Sequence, residues 1–291
     1  MFESFLQILI RSLETGSIYA LAALGIIIIF RTSVMQNFAQ GSLGMFNAFI
    51  ATYAAMWTGM PNWLAAIIGM LAALVVGVLV DIVIMRQAKK ISPLSKQIIT
   101  LALIMVFLGI APMIFGVLPL QFGRFIPGGF DLVGVYVDYN SILNISLGIL
   151  IMLGLFYFLQ KTKWGLAVRV TASNETTARL MGVPTKTVTM GAWAVAAALG
   201  TLSALMLAPR ITVNVNMMND VQVNALVGSV LGGFQTFYGP VLGAYIISLL
   251  RNVLSLYVSS TWAEPLLYTS VLTFIVFRPN GIIGKKFVKK V

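Results

Sequence analysis

The 291-residue sequence is 59% hydrophobic and only 9% charged, carries a net charge of +11, and contains neither cysteine nor histidine. An ordinary soluble domain has roughly 45–50% apolar and about 25% charged residues, so this composition excludes a soluble packed domain. The missing cysteines and histidines exclude thiolate nucleophiles, disulfides, imidazole bases and the commonest metal ligands.

The apolar residues form long continuous stretches, for example at 63–80, 98–115 and 143–159. Each stretch approaches the roughly 20 residues that span a bilayer as a helix. A membrane β-barrel would alternate apolar and polar residues over about ten positions, and these stretches are apolar on every side. The sequence therefore predicts an all-α polytopic transmembrane helical bundle, with residues 1–291 as a single transmembrane domain.

In chain order, helices are predicted near residues 6–30, 37–57, 62–86, 97–116, 140–160, 187–208 and 262–278. The segment before the first of them lacks the basic region and cleavage site of a secretory signal, so this first stretch is expected to remain as a span. Residues 221–257 are too rich in helix breakers for one straight helix and predict two short or half-spanning helices. The breakers are Gly228, Gly232, Gly233, Gly239, Pro240 and Gly243. About eight spans result.

Most of the basic residues occur in three clusters, which the positive-inside rule places in the cytoplasm. They comprise Arg86, Lys89, Lys90 and Lys96; Lys161, Lys163, Arg169, Arg179 and Lys186; and Arg278, Lys285, Lys286, Lys289 and Lys290. The acidic residues Asp131, Asp138, Asp220 and Glu264 lie in the intervening connections, which are therefore predicted to face outward. This alternation explains the positive charge without nucleic acid and predicts an outward N-terminus, where Arg11 and Glu14 are spaced to pair on one helical face.

The junction between the first two predicted helices is unusually polar. Arg31 ends the first span, and the next opens with Asn37, Gln40, Gly41 and Ser42. The junction is either an interfacial loop or a broken helix that faces a polar cavity, since unpaired backbone at membrane depth is tolerated only beside water or protein. Glycine-interrupted segments in corresponding positions of two halves are the best sequence indication of a transport path. The predicted path residues are Asn37, Gln40, Gly41, Ser42, Gly228, Ser229, Gly232 and Gly233.

Small residues cover one predicted helix almost continuously between 191 and 204, which indicates close helix packing. Charge within the predicted spans is scarce, with Asp81 near the basic end of its span and Arg251 late in the interrupted segment. A proton- or sodium-driven carrier often has buried carboxylates in mid-span, and the sequence offers few of that kind.

The connection 161–186 is too polar to cross the membrane and has the pattern of a short amphipathic helix. Ser173 is predicted to cap it, Glu175 lies favourably in its first turn, and Gly182 and Pro184 end it. Its apolar side is suited to the groove of a soluble partner. The residues of this predicted segment are Ala172, Ser173, Asn174, Glu175, Thr176, Ala178, Arg179, Leu180, Met181 and Gly182.

Several motifs resemble the LivH-type permease subunits of branched-chain amino acid ABC importers, in family order from about residue 10 to 284. They are Tyr19-Ala-Leu-Ala-Ala-Leu-Gly, Phe30-Arg-Thr, Asn37-Phe-Ala-Gln-Gly, Lys161-Thr-Lys-Trp-Gly-Leu-Ala-Val-Arg, Ala178-Arg-Leu-Met-Gly-Val, Ala208-Pro, Gly232-Gly, Tyr238-Gly-Pro-Val-Leu-Gly and Arg278-Pro-Asn-Gly. Together these motifs cover essentially the whole chain.

The resemblance implies a type II ABC importer-like permease in the inner membrane of a bacterium or archaeon. It also implies three kinds of partner besides the lipid bilayer: a second, related permease, two cytoplasmic ATPases, and a periplasmic or lipid-anchored binding protein. Residues 172–182 would dock an ATPase, and we call this segment the coupling loop. The sequence has no phosphate-binding loop of the G-x-x-x-x-G-K-[ST] type, so ATP and magnesium are expected on the partner subunits and no cofactor on this chain.

Other functions remain open at this stage. Relatives of such permeases move urea, short amides or other small amino acids. A sodium-coupled secondary carrier would explain the interrupted helices but not the amphipathic inner loop. An intramembrane enzyme would need histidines, cysteines or paired carboxylates within its spans, and the sequence offers no such candidates.

Overall fold

The computed structural model describes residues 2–132 and 134–284, which form a bundle of α-helices with one small β-hairpin. The helices are α1 (Phe2–Ser33), α2 (Gln40–Thr58), α3 (Asn62–Leu79), α4 (Pro93–Phe115), α5 (Tyr139–Lys161), α6 (Lys163–Ser173), α7 (Glu175–Leu180), α8 (Thr185–Leu207), α9 (Asn219–Gly232), α10 (Tyr238–Tyr257) and α11 (Ala263–Phe277). The strands are β1 (Gly129–Leu132) and β2 (Val135–Asp138), which pair antiparallel.

Six of the described helices are long and apolar enough to cross a membrane, and α11 is a shorter apolar helix of 15 residues. The predicted all-α polytopic bundle is therefore confirmed. The interrupted segment forms two helices, as predicted. The first, α9, has 14 residues and is too short to span, whereas α10 has 20 residues and is one of the six.

Helix α1 lies at the centre of the bundle, where it packs against α5, α8, α9 and α10. In the apolar 18-residue stretch of α1, 83% of the residues are buried within the protein, compared with 22% in the corresponding stretches of α4 and α5. Apolar residues buried in the protein do not face lipid. The apolar surfaces of α4 and α5 are thus left for the bilayer or another subunit, while α1 is the core around which the others assemble.

Helix α8 confirms the packing role predicted for its small residues. A β-carbon at Gly200 would meet Gln40, and one at Gly44 of α2 would collide with the backbone carbonyl of Gly200. Gly77 of α3 approaches the backbone of Trp193 in the same way. Small residues let these three helices pack backbone against backbone, and van der Waals contact of this kind stabilises helix association in membranes.

Two local features were not predicted. The end of the α3 span, Val80–Met85, is π-helical and carries the buried Asp81, which faces the guanidinium of Arg86 at 3.5 Å. The β-hairpin lies in the connection between α4 and α5, where Gly134 has a positive φ of 80° at the turn.

Long-range contacts assign the two ends of the bundle. Arg251 of α10 bonds both Asp220, at the start of α9, and Glu264, at the start of α11, so these three residues share one end. Glu14 of α1 pairs with Arg210 instead of with Arg11, which brings the N-terminal part of α1 to the same end. We call this the outer end. The opposite, inner end carries the basic connections around 86–96 and 161–186; Lys285, Lys286, Lys289 and Lys290 of the third predicted cluster lie outside the described residues.

Candidate functional site

The connection 161–186 forms two short helices at the inner end, where the sequence predicted one. Thr162 caps α6 by accepting a hydrogen bond from the Gly165 amide. The predicted cap Ser173 is the last residue of α6, and Asn174 caps α7 instead, its Oδ1 accepting from the Thr177 amide at 3.0 Å. An asparagine side chain satisfies a helix N-terminus as well as serine does, so residue type alone did not separate the two positions.

Helix α7 is stabilised by local interactions and exposes apolar side chains at the inner end. Glu175 and Arg179 form an ion pair of 2.6 Å across one turn, and Ala178 is buried beneath them. Gly182 ends the segment with a φ of +82°, a conformation that glycine adopts without strain. Leu180 is 84% exposed and Met181 is 72% exposed, so two large apolar side chains project from the inner surface.

Helix α6 connects this projection to the bundle. Val168 of α6 is fully buried and packs with Leu159 of α5 and Val188 of α8. Gly165 lies against the backbone of Leu159 so closely that a β-carbon would collide with it. Helix α6 is therefore packed between α5 and α8.

The predicted path residues at the start of α2 are brought together, but in a buried polar junction. Asn37 and Gln40 are fully buried, and their side chains meet at 3.3 Å. Gln40 donates to the carbonyl of Ala196 in α8 at 2.6 Å, and the Gly41 amide donates to Gln222 of α9 at 2.6 Å. Gln222 thus satisfies one of the amides that the start of a helix leaves unpaired.

This junction lies inside the bundle. Gln40 packs on Gly25, eight residues before the end of α1, which is about 12 Å along the helix axis. The chain re-enters the protein between Ser33 and α2, and Val34 adopts a positive φ of 52° at the bend. The irregular backbone is tolerated there because protein surrounds it and supplies hydrogen bonds. Ser42 follows on the first turn of α2 and bonds the carbonyl of Ala39.

The predicted path residues of the interrupted segment lie where α9 crosses α10. Gly228 approaches Gly243 and Ala244, and Gly232 approaches Gly239, at distances that leave no room for a β-carbon. Ser229 is fully buried and bonds the carbonyl of Ala225 within α9. The glycines thus serve the close crossing of two antiparallel helices.

Gly233 stands apart from the other three. It ends α9 with a φ of +96° and borders an inner cavity of about 410 Å³, which Arg31 and the predicted coupling-loop residue Ala172 also line. Arg31 donates to the carbonyl of Gln235 at 2.9 Å and lies over the ring of Phe237. The end of α1 therefore holds the turn between α9 and α10. The junction at Gln40 and this turn lie at different depths, so the two interrupted segments do not form one site.

Sequence reasoning missed two charged clusters at the outer end. In the first, Arg251 bonds Tyr19, Asp220 at 2.6 Å and Glu264 at 2.5 Å, and so joins α1, α9, α10 and α11. In the second, Glu14 accepts from Asn144 of α5 at 3.0 Å and faces Arg210 at 3.2 Å. One signal in the sequence could have found these clusters: an ionisable residue within an apolar helix usually has a functional role and a polar partner. Glu14 and Arg251 are both residues of this kind.

Comparison with known proteins identifies similarities along the whole chain. Residues 8–277 match the family model described as branched-chain amino acid transport system, permease component. The chain is 25% identical to the high-affinity branched-chain amino acid transport system permease protein BraD of Pseudomonas aeruginosa, over 99% of this chain and 98% of the relative. It is 26% identical to the probable branched-chain amino acid transport permease protein LivH of Methanocaldococcus jannaschii, over 95% and 93%.

The same fold occurs in a solved structure. The chain aligns with the structure of PsaBC from Streptococcus pneumoniae in complex with Fab, with a TM-score of 0.52 and 14% identity. The alignment covers 98% of this chain and 97% of that one. The helix arrangement is therefore shared over essentially the full length.

Proposed function

This chain belongs to the family of permease components of branched-chain amino acid transport systems, and we propose that it forms one membrane half of an ATP-driven importer for branched-chain or related small amino acids. As a family member it is a multi-pass permease of the inner membrane. The relatives share its full length, so the proposal applies to the chain as a whole. The other half would be a second, related permease, and a periplasmic or lipid-anchored binding protein would deliver the solute.

The observation that supports a cytoplasmic partner is the apolar projection on α7. Leu180 and Met181 lie among basic residues at the inner end and are 84% and 72% exposed. Apolar side chains of this size at the end of a helix are natural anchors for a groove on another protein. We propose that two ATPase subunits, which would hold the ATP and magnesium, dock here and on the partner permease. The loop residues 172–182 would form the contact.

The proposed transmission follows the packing of α6. Movement of the docked ATPases would displace α7 and α6, and Val168 would pass this displacement to Leu159 of α5 and Val188 of α8. Helix α8 packs on α1, α2 and α3, so the displacement would reach most of the bundle. Close packing is bistable and not continuously deformable, which suits it to an inward–outward switch.

The proposed path runs beside the interrupted segments. There Asn37, Gln40, Gly41 and Ser42 fix the start of α2, and Gly228, Ser229, Gly232 and Gly233 permit the close crossing of α9 and α10. Most of these residues are buried, so they would set helix positions and would not contact the solute. Substitutions at Asn37, Gln40, Gly232 or Gly233 are then expected to alter transport through helix placement.

The docking proposal is tested with Leu180→Ser and Met181→Ser. Both residues are exposed, so the bundle should fold normally, while co-purification with the ATPases and ATP-driven uptake should fall together. Leu94→Ser is the matched control, because Leu94 is 68% exposed at the inner start of α4 but lies outside the coupling loop. Undiminished ATPase association in the double variant would contradict the proposal.

The transport proposal is tested by reconstituting the complete complex in vesicles. Uptake of labelled leucine should require both ATP and the binding protein. Uptake that persists without ATP but follows a sodium or proton gradient would instead identify a secondary carrier. Competition by urea or short amides, but not by leucine, would assign one of the alternative solutes.

A further inference from the structure

A cavity of about 810 Å³ opens at the outer end beside the Arg251 cluster. Helices α1, α9, α10 and α11 and the connection after α8 enclose it. Its apolar wall includes Ile18, Leu207 and Val223, and its charged lining residues are Arg210, Asp220, Arg251 and Glu264. A mainly apolar cavity with a few converging polar groups is the usual form of a small-molecule site.

One corner of the cavity carries excess negative charge. Asp220 and Glu264 both face Arg251, so two carboxylates share one guanidinium. Each carboxylate side chain remains 46% exposed, whereas the Arg251 side chain is 26% exposed. The negative groups are therefore more accessible from the cavity than the positive one. A cationic group bound at this corner would balance the charge.

Asn224 gives independent evidence that this corner is built to hold a carboxylate in place. It is fully buried one turn after Asp220, and its Nδ2 donates to both the carbonyl and the Oδ1 of Asp220 at 2.9 Å. Asn224 therefore fixes the orientation of the Asp220 carboxylate at the wall of the cavity.

A positive group lines the same cavity. Arg210 pairs with Glu14 at 3.2 Å, where Glu14 is buried, yet the Arg210 side chain remains 40% exposed. A guanidinium has five N–H donors in a planar fork, and the ion pair with Glu14 uses only Nη1 of Arg210, which lines this cavity. The cavity thus combines an acidic corner, a basic residue and an apolar wall.

We infer that this outer cavity is a binding site for a free zwitterionic amino acid with an aliphatic side chain. Its ammonium group would bind Asp220 and Glu264, its carboxylate would bind Arg210, and its side chain would lie against the apolar wall. The inference rests on the proposed function and deepens it, because it gives the permease its own recognition of the α-amino group, besides that of the binding protein.

The natural absence of cysteine makes a direct test possible. Val223→Cys introduces a single thiol on the cavity wall, where Val223 is 45% exposed, and cysteine is close to valine in size. In the assembled complex in nanodiscs, L-leucine should slow the modification of this thiol by a water-soluble thiol reagent. The deaminated analogue 4-methylpentanoate should protect far less, because it lacks the ammonium group. Ile211→Cys, on the same cavity, is the second variant should the first fail to assemble.

A charge variant then separates recognition from support of the fold. Added to Val223→Cys, Glu264→Gln should weaken leucine protection about tenfold, the size expected when a partly exposed charge-assisted hydrogen bond is lost. Asp131→Asn removes an exposed carboxylate from the hairpin at the same end and should leave protection unchanged. Leu132→Cys, outside the cavity, should show no protection by leucine.

The outcomes distinguish this site from the proposed function. If the wild-type complex takes up leucine with ATP, but leucine fails to protect Val223→Cys and Ile211→Cys, the site inference is overturned and the transport function stands. Equal protection by leucine and 4-methylpentanoate, or undiminished protection with Glu264→Gln, overturns recognition of the ammonium group. Absence of ATP-driven leucine uptake by the wild type overturns the proposed function itself.

Discussion

The two ends of this permease use ion pairs in different ways. At the outer end, Arg251 joins residues that lie 31 and 13 positions away, and Glu14 pairs with Arg210 across most of the chain. At the inner end, Glu175 and Arg179 are four residues apart, and Asp81 and Arg86 are five apart. These outer pairs join distant parts of the chain, whereas each of the two inner pairs joins residues of one segment. The pair between Glu175 and Arg179 lies wholly within α7 and would be kept if α7 moved as a unit.

The largest effect is expected from disrupting the helical hairpin formed by α9 and α10, which connects the outer and inner ends. Gly243→Val would place side-chain atoms in the backbone of α9 at Gly228, so α9 and α10 could not cross. We expect a loss of several kcal/mol in the free energy of unfolding. The check is the yield of monodisperse protein and its resistance to SDS-induced unfolding. Gly109→Val is the matched control, because no atom lies near a β-carbon at that position in α4; equal tolerance of both variants would refute the tight crossing.

A smaller effect is expected midway between the ends, at the buried polar junction. Gln40→Leu keeps the side-chain size but removes the donor to Ala196 and leaves Asn37 without its side-chain partner. The free energy of unfolding should fall by about 1–3 kcal/mol. Ser42→Ala, whose hydroxyl bonds only within its own turn, should cost much less. Thermal unfolding in nanodiscs measures the difference between the two variants. A neutral effect of Gln40→Leu would contradict the prediction.

Removing the long-range outer clamp should cost less than a fully buried pair would. Arg251→Met removes the counter-ion of Asp220 and Glu264, but both are partly exposed and water can solvate them. We expect a loss of about 1–2 kcal/mol after allowing for this screening. Arg124→Met breaks the pair with Asp138, in which the arginine side chain is 53% exposed against 26% for Arg251, and should cost less than about 1 kcal/mol. The same loss in both variants, measured by unfolding in nanodiscs, would remove the distinction between the outer clamp and an ordinary surface pair.

The smallest effect is expected for the local inner pair. Glu175→Gln removes one i,i+4 ion pair on the exposed helix α7 and should change stability by only about 0.3–0.5 kcal/mol. The difference from the wild type should shrink further as salt is raised, because an exposed pair is screened. A destabilisation as large as that of Arg251→Met would show that the coupling loop is not locally stabilised.

The spans were predictable because hydropathy and glycine content act locally. The apolar stretches marked the long helices, and the breakers between Gly228 and Gly243 marked the two helices of the interrupted segment. The amphipathic pattern located α7 and its end at Gly182, but α6 was missed because its apolar residues pack on distant helices. The β-hairpin was missed because each of its strands has only four residues.

The candidate site was less predictable because its partners are distant in sequence. Gln40 was recognised as out of place in an apolar segment, but nothing local showed that Ala196 and Gln222 would satisfy the junction. Arg251 was recognised as an ionisable residue in an apolar segment, but its three partners come from three other helices. Hydrogen-bond partners set by the packing of helices cannot be derived from the spacing of residues along one helix.

The central position of α1 has a consequence for the biosynthesis of this protein. Helix α1 carries Ser12, Glu14 and Ser17, whose partners include Asn144, Tyr245 and Ser248, all later in the chain. More than a hundred residues must be synthesised before the first of these partners exists. A carboxylate such as Glu14 is unfavourable in hydrocarbon without a partner. Its burial is therefore completed only after α5 has been made, so the order of synthesis bears on how this bundle forms as well as the final packing does.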